Sequence, residues 1–228
     1  MSPDELYQQA FRNEIAALKP ASLCDVGCGA GPLIAYARPA GIAATGIEPD
    51  AGKVAEAKVA GLDVRSGTAE SLPFPDGSFD LVTFENSLHH VADIRRALAE
   101  ALRVARRAVV VVDPWFDLSI QSQRVGDRFE RWLKKLDRMT GMVHWDPIPA
   151  GEIVAACDGV NAVAVRHLLH LAPMSREDFE RYAGRGEPHK GAAAYRADDM
   201  DAEIAALRGE FQRTGLTEAG ALLVTIAK

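Results

Sequence analysis

The chain has 228 residues, a formal net charge of −6, and 48% hydrophobic and 25% charged residues, which excludes disorder as the dominant state. At this length a single α/β domain over residues 1–228 is expected, and the acidic balance supplies no field that would condense on nucleic acid. Cys24, Cys28 and Cys157 are too few for a disulfide framework, residues 1–11 lack the pattern of a secretory leader, and no apolar run approaches the ~18 residues of a membrane span. A reducing cytoplasm is the expected setting.

Ser2, Pro3 and Glu5 read as the N-cap, first helical residue and capping-box partner of a helix that Lys19-Pro20 stops. Leu6, Ala10, Phe11, Ile15 and Leu18 recur along its apolar face. A short strand over 22–26 runs into Gly27, Gly29 and Gly31, and Pro32 opens a helix to Arg38. A second strand, 43–47, leads to Glu48; Asp50 can cap a helix to about Ala60, and a third strand covers 62–65. The turn-rich 72–78 precedes a fourth strand at 79–84, followed by a helix over 93–105 and a fifth strand at 108–112.

Strands and helices alternate, and the β-branched strands must be buried on both faces. With further strands at 162–170 and 221–227, the pattern predicts an α/β fold with a doubly wound, mostly parallel seven-stranded sheet. Helical insertions at 114–160 and 172–218, after strands five and six, are long enough to carry function or structure of their own.

In such a sheet the ligand crevice lies beyond the carboxyl ends of the strands, and the first strand-to-helix turn brings backbone close to the ligand. Gly27, Gly29 and Gly31 sit at that turn, and Glu48 stands where a carboxylate can accept from a ribose diol. The spacing is Gly-x-Gly-x-Gly with Pro32 directly behind it, whereas a dinucleotide fingerprint requires Gly-x-Gly-x-x-Gly.

The segment LCDVGCGAGPL resembles the cofactor loop of class I S-adenosylmethionine-dependent methyltransferases. Residues 67–93 and 103–114 resemble later blocks of the branch that includes quinone-biosynthesis C-methyltransferases and related small-molecule enzymes. The resemblance implies S-adenosylmethionine as cofactor. It places Asp25 near the methionyl amine, the amides of Gly27, Gly29 and Gly31 along the methionyl and ribose portions, and Glu48 on the ribose. Pro49 and Leu72 would sandwich the adenine, Thr68 and Ala69 would meet its amino group, and Glu70 and Glu85 complete the expected cofactor site.

There are departures from the pattern. Thr68 replaces a common acidic residue, and Ala105-Arg106-Arg107 replaces the usual Pro-Gly-Gly turn. Glu85-Asn86-Ser87-Leu88 stands where nucleobase and amide methyltransferases carry Asn/Asp-Pro-Pro-Tyr, so that chemistry is disfavoured.

His89 and His90 follow strand four, near the expected methyl position. His90 is the candidate general base, with a purely structural role as the alternative. His167 and His170, three apart in a strand, would face opposite ways, and Cys24 and Cys28 lack a second Cys/His pair, so no metal site is assigned.

Trp115, Trp132 and Trp145, with Phe116, Met139, Met142 and His144, read either as local core or as a lid over an apolar or aromatic acceptor. Arg124, Arg128, Arg131, Lys135 and Arg138 form a helical stripe, read first as a solvated face and alternatively as contact with an anionic substrate or a subunit. The loop 184–191 reads as a gate or an exposed turn. The expected function is in-line methyl transfer to a small molecule, against two rivals: a non-catalytic S-adenosylmethionine-binding module acting as an interaction partner, and an NAD-dependent oxidoreductase. The acceptor atom and the oligomeric state stay open.

Overall fold

Strand β5 (Ala105–Trp115) sets the layering. Val109 and Val111 pack with Val82, Phe84, Leu98 and Ala101, whereas Val110 and Val112 pack with Phe11, Ile15, Leu33 and Leu81. A strand with apolar side chains on both faces must be covered twice. Helix α4 (Ile94–Val104) covers one side, and α1 (Pro3–Leu18) with α2 (Pro32–Ala37) the other. The computed structural model describes residues 3–157 and 159–228, with side chains from Tyr7 onward, so the expected cap by Ser2 and Glu5 lies outside the described residues.

The other strands are β1 (Ser22–Val26), β2 (Ala43–Glu48), β3 (Val64–Ser66), β4 (Phe79–Glu85), β6 (Ala162–Leu168) and β7 (Gly220–Ala227). They form one seven-stranded sheet in the order β3-β2-β1-β4-β5-β7-β6. Neighbours from β3 to β5 run parallel, and β7 is antiparallel to both β5 and β6. This is the doubly wound sheet that the sequence pattern implies, with its crevice at the carboxyl ends of β1 and β4. Asp50 caps α3 (Ala51–Val59) by accepting from the Lys53 amide at 2.9 Å, and Asp93 caps α4 in the same way.

Several strand boundaries differ from the sequence expectation, and three of them follow from hydrogen bonding. β3 starts at Val64 because the Leu62 amide closes the preceding turn on the Ala57 carbonyl. β5 reaches Trp115 because Asp113, Pro114 and Trp115 continue against β7 after the β4 register ends at Val112. β6 stops at Leu168, opposite Ala221, which leaves His170 outside the strand. His167 packs on Trp115 and His170 meets Tyr7 edge-on, so the two histidines are separated by different neighbours and not by strand alternation.

The insertions carry α5 (Gln121–Met139), α6 (Ala150–Ala155), α7 (Arg176–Ala183), α8 (Ala193–Ala197) and α9 (Met200–Thr214). Val125, Phe129, Trp132 and Leu136 of α5 join Phe179, Tyr195, Met200 and Ile204 in a hydrophobic cluster distinct from those of the sheet. The two insertions therefore make one helical cap with its own core, while α6 rests through Ile153 on the sheet. A Cβ at Gly126 would lie 2.4 Å from the Thr217 carbonyl oxygen, so glycine permits the close crossing of α5 over the segment that enters β7.

The basic stripe of α5 lies on a partly solvated face, with Arg124, Arg128 and Arg138 exposed, and its charges are engaged within the chain. Arg128 pairs with Glu210, Lys135 with Glu203, Arg131 with Asp127 and Asp146, and Arg138 with Asp146, while Arg124 donates to the Leu118 and Ser119 carbonyls. The segment Gly184–His189 is a 3₁₀ turn whose buried Gly186 abuts the Trp132 ring, and Arg185 is tied to Asp137. It is part of the cap, not a free gate.

Candidate active site

The glycine loop leaves β1 with Gly27 at φ +71°, and a Cβ there would come 2.6 Å from the Ser87 Cβ. Glycine is required for both reasons, because the loop must lie against the turn after β4. Ser87 reinforces the contact by donating to the Val26 carbonyl at 2.6 Å. Glu48, at the end of β2, accepts from the Gly29 amide at 2.8 Å and the Asp50 amide at 3.0 Å, one bond on each carboxylate oxygen. Each oxygen keeps a further lone pair, the geometry a vicinal diol needs.

A cavity of about 740 Å³ opens in front of these groups. Gly27, Gly29, Glu48, Pro49, Thr68, Ala69, Glu70 and His90 line it, with Val91 and Met142 among its apolar walls. The space suits a nucleoside, and a Cβ at Gly29 would meet nothing within 4 Å, which leaves room at the loop for a ligand. Glu70 also shapes the far wall, since its Oε1 accepts from the Ala92 and Asp93 amides.

Four expected cofactor residues lie elsewhere. Asp25 is buried inside β1, where the Thr83 hydroxyl donates to it at 2.8 Å; burial, reinforced by Glu85, pushes its carboxyl well above the usual carboxylate range. It supports the loop from beneath. Gly31 starts α2, and a Cβ there would stand 2.9 Å from Leu62 Cδ1, so its task is helix packing. Glu85 ends β4 outside the cavity lining, its carboxyl raised by burial against the lowering effect of Arg12. Leu72 is part of the sheet core and does not flank the cavity. Burial pushes the Cys24 and Cys28 thiols up, which makes both inert.

A second cavity, about 660 Å³, lies between the carboxyl end of the sheet and the cap. Asn86 and His90 line both cavities. Asn86 holds a left-handed backbone, φ 51°, which asparagine tolerates better than most side chains. The walls include Tyr7, Phe116, Phe129, Leu133 and Met174. None of the tryptophans is among them. Trp132 is the centre of the cap core, Trp115 lies on His167, and Trp145 anchors its loop. Its backbone amide donates to the His89 carbonyl at 2.8 Å and its indole to the Val91 carbonyl at 2.7 Å.

That anchoring brings His144 beside His89 and His90, with ring centroids 4.3–5.1 Å apart. His89 Nδ1 lies 2.8 Å from Asp113 Oδ1, His144 Nδ1 lies 2.8 Å from Asp137 Oδ2, and His90 Nδ1 lies 3.0 Å from the Val143 carbonyl. Burial lowers the pKa of His90, and burial followed by the Lys134 charge lowers that of His144 to about 4. Lys134 is itself buried, donating to the Trp145 carbonyl at 2.9 Å, and desolvation lowers its pKa. Sequence reasoning singled out His90 and grouped His144 with the aromatic lid, but missed Asn86, Asp113, Lys134 and Asp137 as parts of one site. The available signal was Asp113, which ends the apolar run of β5 beside the carboxyl end of β4.

A doubly wound sheet with a glycine loop, a ribose-competent carboxylate and a capped second cavity defines a nucleoside-cofactor protein of the class I methyltransferase fold. Residues 24–112 match the family described as a methyltransferase domain. The uncharacterized methyltransferase YcgJ of Bacillus subtilis is 38% identical over 90 residues, 36% of this chain and 36% of that protein. The ajmaline N-methyltransferase of Rauvolfia serpentina is 32% identical over 130 residues, 52% of this chain and 45% of that protein. The demethylmenaquinone methyltransferase of Beutenbergia cavernae is 33% identical over 120 residues, 49% of this chain and 50% of that protein.

The match spans half or less of each relative's length. The crystal structure of YcgJ shares the fold, with a TM-score of 0.65 and 19% identity over 97% of this chain and 98% of that one. Residues 24–112 are thus similar to the methyltransferase-domain family, the fold is that of class I S-adenosylmethionine-dependent methyltransferases, and S-adenosylmethionine is the cofactor these comparisons support. These relatives favour neither the binding-module nor the oxidoreductase reading.

Proposed function

We propose that this protein transfers the methyl group of S-adenosylmethionine to a small-molecule acceptor held between the sheet and the cap. The observation that carries this reading is the wall shared by the two cavities, where Asn86 and His90 face both. When bound, the cofactor supplies an already activated methyl group. Gly27, Gly29, Glu48 and the 67–70 segment hold it, with Asp25 bracing the loop from below and Thr68 and Ala69 beside the base. The cap excludes water and fixes the acceptor in line with the methyl carbon, which is where most of the rate enhancement of such a displacement arises. His90, at the shared wall, is the candidate to take a proton from the acceptor.

The second cavity supports an acceptor of mixed character, with an apolar or aromatic body against Phe116, Phe129 and Met174 and a polar end toward the histidines. One relative is named for such a small molecule, ajmaline. The cavity under the cap and the net charge of −6 favour this over nucleic acid. Among the described residues no helix is long and apolar enough to cross a membrane, and the proposed setting is the cytoplasm.

The test is incubation with S-adenosylmethionine and a panel of hydroxyl, thiol, amine and activated-carbon acceptors, followed by mass spectrometry for the methylated product and S-adenosylhomocysteine. Product from at least one acceptor is expected, abolished or strongly reduced in His90→Phe if the base assignment holds. Thermal stabilisation by NADH with none by S-adenosylhomocysteine would overturn the reading.

A further inference from the structure

We propose that His89, His90 and His144 form a site for a divalent transition-metal cation of the zinc kind, open toward the acceptor cavity. One ring nitrogen of each lies within 4.8 Å of the others. The Nδ1 atoms are already engaged by Asp113, the Val143 carbonyl and Asp137, so Nδ1 is the protonated nitrogen and Nε2 keeps its lone pair. A carboxylate or carbonyl behind each ring is the arrangement that orients metal-binding imidazoles and raises their basicity. Reaching bond lengths of about 2.0–2.1 Å requires each nitrogen to move inward by roughly 1 Å or less.

Two further observations point to a cation. The second oxygen of Asp113 is buried and has no hydrogen-bond partner, so the carboxylate behind His89 keeps an unused acceptor. All three histidines line the acceptor cavity, which leaves the remaining coordination position facing the acceptor, as in three-ligand catalytic sites. The Lys134 ammonium and the Arg185 guanidinium are the nearby charges opposed to a cation; Glu130 at 3.7 Å from Lys134 and Asp113 offset the first, and Asp137 is paired with the second. Three neutral imidazoles select zinc, cobalt, nickel or iron over magnesium and calcium.

The consequence for chemistry rests on the methyl-transfer reading. The acceptor class becomes a hydroxyl or thiol whose heteroatom enters the open position and is acidified there. Its proton leaves to water, its lone pair forms the bond to the methyl carbon, and the carbon–sulfur electron pair stays on sulfur. His90 then serves as a ligand, and the cation replaces it in activating the acceptor.

The experiment uses tag-free protein stripped by chelator and titrated with Co²⁺, read by visible absorption, with Zn²⁺ as competitor and metal content measured after dialysis. One Co²⁺ per chain is expected, with the spectrum of a four- or five-coordinate site, displaced by Zn²⁺. Affinity should fall at least ~100-fold in His144→Ala and about 10- to 100-fold in Asp137→Asn. Substoichiometric binding to the parent overturns the site, as does unchanged affinity in a His144→Ala protein with the parent's circular dichroism. If His144→Ala does not fold, His90→Ala, at an exposed position, carries the same expectation. S-adenosylhomocysteine titrated into the same preparation separates the two readings: its binding without Co²⁺ overturns the metal site alone, and Co²⁺ binding without it overturns methyl transfer and upholds the metal site.

Discussion

The two halves of the molecule are held by different means. In the cofactor half, carboxylates fix the backbone around the cavity by accepting from its amides: Glu48 from Gly29, Asp50 from Lys53, Glu70 from Ala92. In the cap, contacts join segments far apart, such as Arg128 with Glu210 and Lys135 with Glu203. The first arrangement conserves its shape through local geometry. The second depends on a separate hydrophobic core that can vary with the acceptor, and the family match, confined to residues 24–112, follows that division.

The largest effect should come from the cap core. Trp132 is fully buried and its indole donates to the Met200 carbonyl at 3.1 Å. Trp132→Ala should destabilise the cap by about 3–5 kcal/mol in chemical denaturation, with affinity for S-adenosylhomocysteine kept within about twofold of the parent. Loss of cofactor affinity in parallel would show that the two halves unfold as one unit.

Glu48→Ala should do the reverse. Losing a charged acceptor from a ribose diol is worth about 2–4 kcal/mol, or roughly 30- to 1,000-fold in the calorimetric dissociation constant, with a smaller change in melting temperature. Binding as tight as the parent's would refute the ribose assignment.

A smaller effect concerns how the sheet is fastened at the far end from the site. Asp80 accepts from the Ala21 amide at 2.7 Å and from Arg106 at 2.9 Å, and these bonds, the Ala21 amide foremost, hold its pKa below the usual 3.8. A depressed carboxylate contributes stability above its unfolded pKa and loses it as pH falls through the folded value. Asp80→Asn should cost about 1–2 kcal/mol at pH 7, and the gap from the parent should close below about pH 4. A pH-independent gap would assign the effect to packing.

Much of the cofactor half was legible because its determinants are local. The glycines, Glu48 and the capping aspartates Asp50 and Asp93 each act within a few residues or across one adjacent strand. The sequence groups Asp25 and Gly31 with the loop, whereas Asp25 lies in β1 and Gly31 caps α2, because sequence cannot tell a residue that lines the cavity from one that braces the turn beside it. The cap was harder to read. Trp132 and Trp145 have the same composition signal, yet one is a core residue and the other a surface anchor, and only the path of the chain decides which. The pairing of the basic stripe was hidden because Glu203 and Glu210 lie on α9 and Asp146 on the loop after α5. The histidine group was hidden for the same reason, since His144 comes 54 residues after His90 and is brought to it by Trp145.

The position of β7 has a consequence for how the chain comes off the ribosome. It follows every other strand in sequence but is inserted between β5 and β6, so β6 has no partner and β5 a bare edge until residues 220–227 emerge. Until then the nascent chain presents the apolar backbone of 108–112 as a pairing template for other chains. Closure of the sheet is therefore a late, long-range step, and the acceptor cavity, which needs Leu216 to Ala219 for part of its wall, cannot exist before it.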